Sequence, residues 1–174
     1  MSEAEKTITA RNLMKTEFRT IPSTRPAREA MDLLIDGEGG HSPSPLIAVH
    51  EDGTFAGVLT PIALFKVLLR KLRLDDLETR TEPELLAAMR DQLDVPVAEA
   101  MVREVPRAYP DDRLLTLMAI NSERRLEFTP VLDGDQIIGV IYLTDIFQTA
   151  AALAITYESE GIELEPERDP DLHH

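Results

Sequence analysis

The sequence predicts an α/β fold made of two tandem repeats, each a small three-stranded sheet with helices. Two observations predict it. The two halves of the chain share marks in the same order, and each half can be written as strand, helix, strand, hairpin, strand, helix. The shared marks are Met14 with Met101, Asp52-Gly53 with Asp133-Gly134, and Gly57 with Gly139.

The repeats divide the chain into four predicted segments. Repeat one covers residues 8–72 and repeat two covers residues 95–156. Between them, residues 73–94 form a polar helical insert, and residues 157–174 form an acidic tail. Repeat one has extra residues within 37–45, where Gly, Pro and Ser indicate a loop.

In repeat one, helical spacing over residues 26–35 follows the first short strand. A hydrophobic strand at 46–49 runs into the turn at Asp52-Gly53, and a second strand precedes a closing helix over 61–72. The insert contains a capping box, Thr81-x-x-Glu84, ahead of an apolar stripe. Such a stripe predicts that the insert packs against the repeats or against a second subunit.

Repeat two repeats this order. An extended stretch at 104–109 ends at Pro110, and a helix follows. A β-rich run at 127–132, the turn at Asp133-Gly134 and a return strand at 136–142 predict a hairpin. Thr144 is the predicted N-cap of the last helix. The apolar face of that helix comprises Ile146, Phe147, Ala150, Ala151 and Ala154.

Composition excludes several classes of function. The chain has 174 residues, with 18 basic and 32 acidic side chains and a formal net charge of −14. Such a charge disfavours nucleic acid or an anionic membrane surface as the main partner. The chain has no cysteine, which excludes disulfides, thiolate metal sites and a cysteine nucleophile. Because no signal-peptide core or membrane-length apolar stretch is present, we expect a cytoplasmic protein.

The motifs of common enzymes are also missing from the sequence. It contains no phosphate-binding P-loop, zinc-protease or serine-hydrolase motif. Asp133-Gly134-Asp135 begins like a calcium loop, but Ile137 at the next ligand position indicates a hairpin. The four histidines are scattered, and we assign no metal. Because no nucleophile is paired with a base, we expect no catalytic activity.

The repeated marks resemble the cystathionine β-synthase (CBS) domain, and two ordered copies resemble a tandem CBS pair, the Bateman module. In that family a hydrophobic strand runs into Asp-Gly, and a later Gly precedes aliphatic residues and a Thr/Ser-x-x-Asp site. The resemblance covers residues 8–154, apart from the insert. It implies two halves whose sheets pack about a pseudo-two-fold axis, two clefts between the halves, and a homodimer.

The resemblance also implies a ligand, because these clefts often bind AMP, ADP, ATP or S-adenosylmethionine in the family. An adenosine ligand needs an apolar slot, a carboxylate for the ribose hydroxyls, and cations or N–H groups for phosphate. Repeat two has the carboxylate, Asp145, but Tyr142 replaces the family's Thr or Ser. Repeat one has Thr60, but Ala63 replaces the carboxylate. We therefore expect one usable site at most, around Asp145, and a second cleft at Thr60 without ligand.

Each candidate in the expected site has a structural alternative. Asp145 would also favour its helix by about 0.3–1 kcal/mol through the helix dipole. The Tyr142 ring would either stack on the adenine base or fill the part of the cleft that the base would occupy. The expected adenine slot comprises Val105, Phe128, Pro130, Ile141 and Tyr142, of which the aliphatic residues, proline and phenylalanine would also suit a core. The expected polar and phosphate contacts are Thr144, Arg103, Arg124 and Arg125, although most surface arginines are only solvated.

Two functions follow from the resemblance. The first is a non-catalytic regulatory module that senses an adenosine-containing ligand, needs no cofactor, and signals through its homodimer to an unknown effector protein. The second is a CBS scaffold whose clefts have lost ligand binding and which serves dimerisation or partner docking. The split of Thr60 and Asp145 between the two repeats favours the second.

Overall fold

The computed structural model describes residues 7–35, 45–123 and 126–159. Most of the predicted loop at 37–45, most of the predicted tail, and both Arg124 and Arg125 lie outside these residues. In the described part of the chain, no helix combines the length and the apolar character needed to cross a membrane.

Repeat one has the predicted order of elements. Its sheet has the order β1-β2-β3, with β1 parallel to β2 and β2 antiparallel to β3. The helix closing the repeat ends earlier than predicted, because the chain turns after Leu68. The elements are α1 (Ala10–Leu13), β1 (Arg19–Pro22), α2 (Ala27–Ile35), β2 (Leu46–Val49), β3 (Phe55–Leu59) and α3 (Pro61–Leu68).

The insert is helical, as predicted, and α5 packs against α3. Its helices are α4 (Leu74–Thr79) and α5 (Glu82–Arg90). In the capping box, the Thr81 N–H donates to Glu84 Oε2 at 3.0 Å. This bond satisfies an N–H at the start of α5, where no helical partner is available.

Repeat two follows the same plan with a smaller sheet. Its elements are α6 (Val97–Ala100), α7 (Leu114–Asn121), β4 (Phe128–Asp133), β5 (Gln136–Tyr142) and α8 (Leu143–Ser159). The hairpin β4-β5 is antiparallel, and both predicted turns contain a glycine at positive φ, Gly53 at 85° and Gly134 at 61°. Only glycine adopts that backbone conformation without steric cost.

The third predicted strand of repeat two is reduced to one parallel bridge. Ala108 pairs with Val131, its N–H donating to Pro130 O at 2.9 Å. In repeat one, the Arg19 N–H begins β1 by donating to Pro45 O at 2.9 Å. Pro106, the counterpart of Arg19, has no N–H to donate. The pairing therefore starts later and covers a single residue.

The opening segment of each repeat crosses to the other repeat. At the start of repeat one, the Ala10 N–H donates to Asp112 O at 2.8 Å, and Lys15 pairs with Val140 of β5. At the start of repeat two, Val102 pairs with Val58 of β3. The two halves are therefore joined by exchanged segments as well as by side-chain packing.

Three apolar clusters form the core. One lies mostly in repeat one and includes Val97, Ala100 and Met101 of repeat two, and another lies mostly in repeat two and includes Ala10 of repeat one. The third lies between the sheets and contains side chains of both repeats: Ile47, Val49, Phe55, Val58, Val105, Phe128, Leu132 and Val140. This shared cluster explains why the repeats pack as a pair, since neither sheet face would be covered without the other.

The last helix differs in detail from the prediction. It begins at Leu143, directly after β5, so Thr144 lies inside the first turn and the predicted N-cap at Thr144 is wrong. On its predicted apolar face, Ile146 is buried but Phe147 is 70 % exposed. A continuous apolar pattern cannot distinguish the side chains that meet the core from those left on the surface.

Candidate functional site

In each repeat, the segment exchanged from the other repeat crosses over the glycine that precedes the closing helix. In repeat one, Met101 and Val102 cross over Gly57. In repeat two, Met14 and Lys15 cross over Gly139. The two clefts that the resemblance implies are expected beside these crossings, one at Thr60 and one at Asp145.

Asp145 lies in the first turn of α8, and its side chain is partly exposed. Among the described residues, nothing donates a hydrogen bond to its carboxylate, although its backbone oxygen accepts from the Thr149 hydroxyl at 2.7 Å. The positive end of the helix dipole favours a negative charge at this position. The carboxylate therefore retains all its acceptor positions for a ligand.

Acidic side chains surround the neighbouring Tyr142, the last residue of β5. Burial, and then the charges of Asp145, Glu17 and Glu127, raise the pKa of the Tyr142 phenol above its ordinary value. Each negative charge opposes formation of the phenolate. Three carboxylates therefore lie close enough to the Tyr142 phenol to influence its ionisation.

Replacing Asp145 with asparagine is expected to lower the pKa of Tyr142, because one of the charges that oppose the phenolate is removed. A pH titration of tyrosine absorbance would measure the shift, with Tyr142→Phe identifying the contribution of this phenol. Asp91→Asn, at an exposed position after α5, serves as the control. An unchanged titration in Asp145→Asn would contradict the proximity of the two groups.

A cavity of about 730 Å³ opens at the other cleft, beside Thr60. The Thr60 hydroxyl caps α3 by accepting from the Ala63 N–H at 3.1 Å. The walls come from both repeats: Leu34, Pro45, Leu46, Leu59 to Ala63, Lys66, Val67 and Arg70 from the first, and Glu99 to Val102 and Leu126 to Phe128 from the second. This volume falls within the range of small-molecule sites.

The residues of the expected adenine slot are not all at one place. Phe128 and Val105 both belong to the cluster between the sheets, against which Tyr142 packs, and Phe128 also lines the cavity beside Thr60. Pro130 is fully buried, and Ile141 is buried in the core of repeat two at 0 % exposure. In this structure Pro130 and Ile141 present no surface to a ligand. Neither Asp145 nor Tyr142 lines the cavity.

Of the expected phosphate contacts, only Arg103 falls within the described residues. Its Nη2 donates to Ala98 O at 3.4 Å, on the surface. Thr144 is exposed on the first turn of α8. The cations that line the cavity are instead Lys66 and Arg70, which the sequence reading did not single out. Their helical spacing from Ala63 is the signal that would have identified them.

Comparison with known proteins gives one consistent result. A family model described as the CBS domain matches residues 10–70 and 97–151. A search of curated proteins gives no match.

Solved structures of similar fold are CBS-domain proteins. A CBS domain-containing protein from Kribbella flavida has a TM-score of 0.64 and 23 % identity, covering 83 % of this chain and 99 % of that one. A CBS-domain containing protein from Agrobacterium tumefaciens has a TM-score of 0.56 and 19 % identity, and the match covers 78 % of this chain and 85 % of that one. The cytosolic domain of the Mg²⁺ channel MgtE, solved in complex with ATP, has a TM-score of 0.54 and 18 % identity, and the match covers 81 % of this chain and 48 % of that one.

The two matched segments lie within the two predicted repeats, and the predicted fold class is confirmed. The exchanged segments, paired clefts and shared core are those of two domains of one kind in tandem. The chain belongs to the CBS-domain family, of which it contains a tandem pair.

Proposed function

We propose that this chain is a non-catalytic regulatory module that binds an adenosine-containing ligand between its repeats, with Asp145 accepting hydrogen bonds from the ribose hydroxyls. The observation that carries the proposal is the carboxylate of Asp145. It occupies the acidic position of the family site, in the first turn of α8, and it is partly exposed. The fold that the chain shares with an ATP-bound CBS structure supports the ligand class.

The proposed mechanism is a shift between orientations of the repeats. A ligand in this cleft would contact α8 on one side and the exchanged segment at Lys15 on the other. Binding then favours the orientation in which both walls contact the ligand. A partner that distinguishes the two orientations reads the signal, and the coupling is reciprocal.

The wild-type chain is expected to unfold at a higher temperature in millimolar AMP, ADP, ATP or S-adenosylmethionine. A ligand at 100 times its Kd adds about 2.7 kcal/mol to the free energy of unfolding, which corresponds to roughly 5–10 °C for a domain of this size. Asp145→Ala is expected to remove most of the shift. Thermal unfolding at matched ligand concentrations measures both.

Asp91→Ala is the matched control, since it removes an exposed carboxylate at the end of α5. The quantity compared is the ligand-induced shift, because Asp145→Ala also loses the helix-dipole contribution of about 0.3–1 kcal/mol. A shift that survives in Asp145→Ala would contradict the ribose role. No shift with any of the four ligands would favour the scaffold.

The scaffold alternative has one structural observation in its favour. Large apolar side chains remain exposed on three helices: Ile62, Phe65 and Leu69 near α3, Leu115 and Met118 on α7, and Phe147 and Ile155 on α8. Exposed apolar patches mark interaction surfaces. The regulatory module and the scaffold would both use such a surface to form a homodimer. The oligomeric state therefore does not distinguish the two functions, whereas thermal unfolding with the four ligands does.

A further inference from the structure

The two clefts differ in charge, although the repeats share a fold. Counted from Gly57 and Gly139, Ala63 of α3 is the counterpart of Asp145 of α8. Further along the chain, Lys66 and Arg70 correspond to the uncharged Gln148 and Ala152. The first turn of α8 thus has a carboxylate, whereas the first turn of α3 is uncharged and the cavity beside it is lined by two cations, Lys66 and Arg70, and two carboxylates, Glu99 and Glu127.

Two cations line the cavity, Lys66 in α3 and Arg70 in the turn that follows it. Ala63, Lys66 and Val67 also line it, and their spacing of three and four residues places them on one face of α3. The α3 wall of the cavity is thus uncharged in its first turn and has a cation one turn later.

The two cations are not equally available. Arg70 Nη1 lies 3.6 Å from Glu99 Oε1, and Arg70 Nη2 donates to Glu99 O at 3.4 Å. Lys66 has neither a hydrogen bond nor an ion pair with any described residue. Because Arg70 and Glu99 neutralise each other, Lys66 contributes the unpaired positive charge of this wall.

One further charge lines the cavity, that of Glu127. Its carboxylate contributes to the raised pKa of Tyr142, and its backbone oxygen accepts from the Leu143 N–H at 2.9 Å. Both interactions connect Glu127 to the start of α8, in the Asp145 cleft. Glu127 therefore contributes its negative charge to the Asp145 cleft as well.

The remaining walls are mostly apolar. They comprise Leu34, Leu46, Leu59, Ile62, Val67, Met101, Val102, Leu126 and Phe128, and these side chains come from both repeats. A pocket with apolar walls and a few charged groups orients a ligand by its charge and holds it by its apolar body.

We propose that this cleft binds a small organic anion with an apolar body, such as a hydrophobic monocarboxylate, whose charged group pairs with Lys66. A ribose is not expected here, because Ala63 offers no carboxylate to accept from its hydroxyls. The proposal concerns a different cleft and a different ligand class from the proposed function, so each can fail without the other.

Titration of the full chain with sodium octanoate tests the proposal, with the ¹H–¹⁵N spectrum reporting on α3. Saturable binding is expected, and Lys66→Gln should weaken it by about tenfold or more, as the loss of one charged hydrogen bond predicts. Lys71→Gln is the matched control, since Lys71 is an exposed lysine that does not line the cavity. Octylammonium and octanol should bind more weakly than octanoate.

A second variant places a carboxylate in the cleft. Ala63→Asp is favoured by the N-terminus of α3, so the variant is expected to fold, and it should repel octanoate. No saturable binding, equal affinity for octylammonium, or equal affinity in Lys66→Gln would each overturn the proposal. None of these results bears on nucleotide binding at Asp145.

Discussion

Replacing Gly57 with alanine is expected to lower the free energy of unfolding by about 3 kcal/mol, the upper end of the usual cost of overpacking. A Cβ at this position would lie 2.8 Å from Val102 O and 3.1 Å from Met101 Cγ. The nearer atom belongs to a backbone that is paired with Val58, so it cannot rotate away. Chemical denaturation of wild type and variant measures the change.

Gly53→Ala is the matched control, because it adds the same methyl group where no atom lies within 4 Å. Its expected cost is roughly 1–2 kcal/mol, from the positive φ alone. Gly139→Ala should resemble Gly57→Ala, since its Cβ would lie 2.9 Å from Lys15 O. If Gly57→Ala cost no more than Gly53→Ala, the exchanged segment would not be held closely against β3.

The order of the elements could be predicted because its signals are local. The two hairpin turns, the capping box at Thr81 and the helical character of the insert each depend on neighbouring residues. The exchange of the opening segments could not be predicted from the same signals. Nothing in the pattern near Lys15 or Val102 indicates which of the two sheets the segment joins, since that choice depends on long-range packing.

The candidate site was predictable only where a motif position and a local element coincide. Asp145 and Thr60 are at the starts of the two closing helices, as expected from their positions after Gly139 and Gly57. The apolar residues of the expected slot were not predictable, because a strand residue such as Ile141 can face the core or a cleft. Lys66 was missed because its spacing from Ala63 indicates a shared helix face, but the sequence does not show that this face lines a cavity.

The two clefts connect the fold to its proposed regulation. They are equivalent by repeat but differ in the charged side chains at the start of the closing helix, and the exchanged segment of the other repeat lies beside each. Two ligands of different chemistry would therefore act on one inter-repeat arrangement. Binding that favours one arrangement at either cleft would alter affinity at the other, with the same coupling free energy in both directions.

Such coupling requires the repeats to unfold together, and Leu132→Ala tests this requirement. Leu132 is 1 % exposed and lies in the cluster shared by both sheets, beside Phe55 and Val58 of repeat one. Removing its side chain is expected to lower the free energy of unfolding by roughly 2–5 kcal/mol, through lost burial and the cavity left behind. Calorimetry should show one transition, shifted downward, with its calorimetric and van't Hoff enthalpies equal.

Leu115→Ala is the matched control, since Leu115 is 77 % exposed on α7 and its loss should change stability by no more than about 0.5 kcal/mol. Two separate transitions in Leu132→Ala, with only the later one shifted, would contradict a cooperative pair. In that case the shared cluster would contribute to repeat two alone, and the clefts would have no common core through which to act on each other.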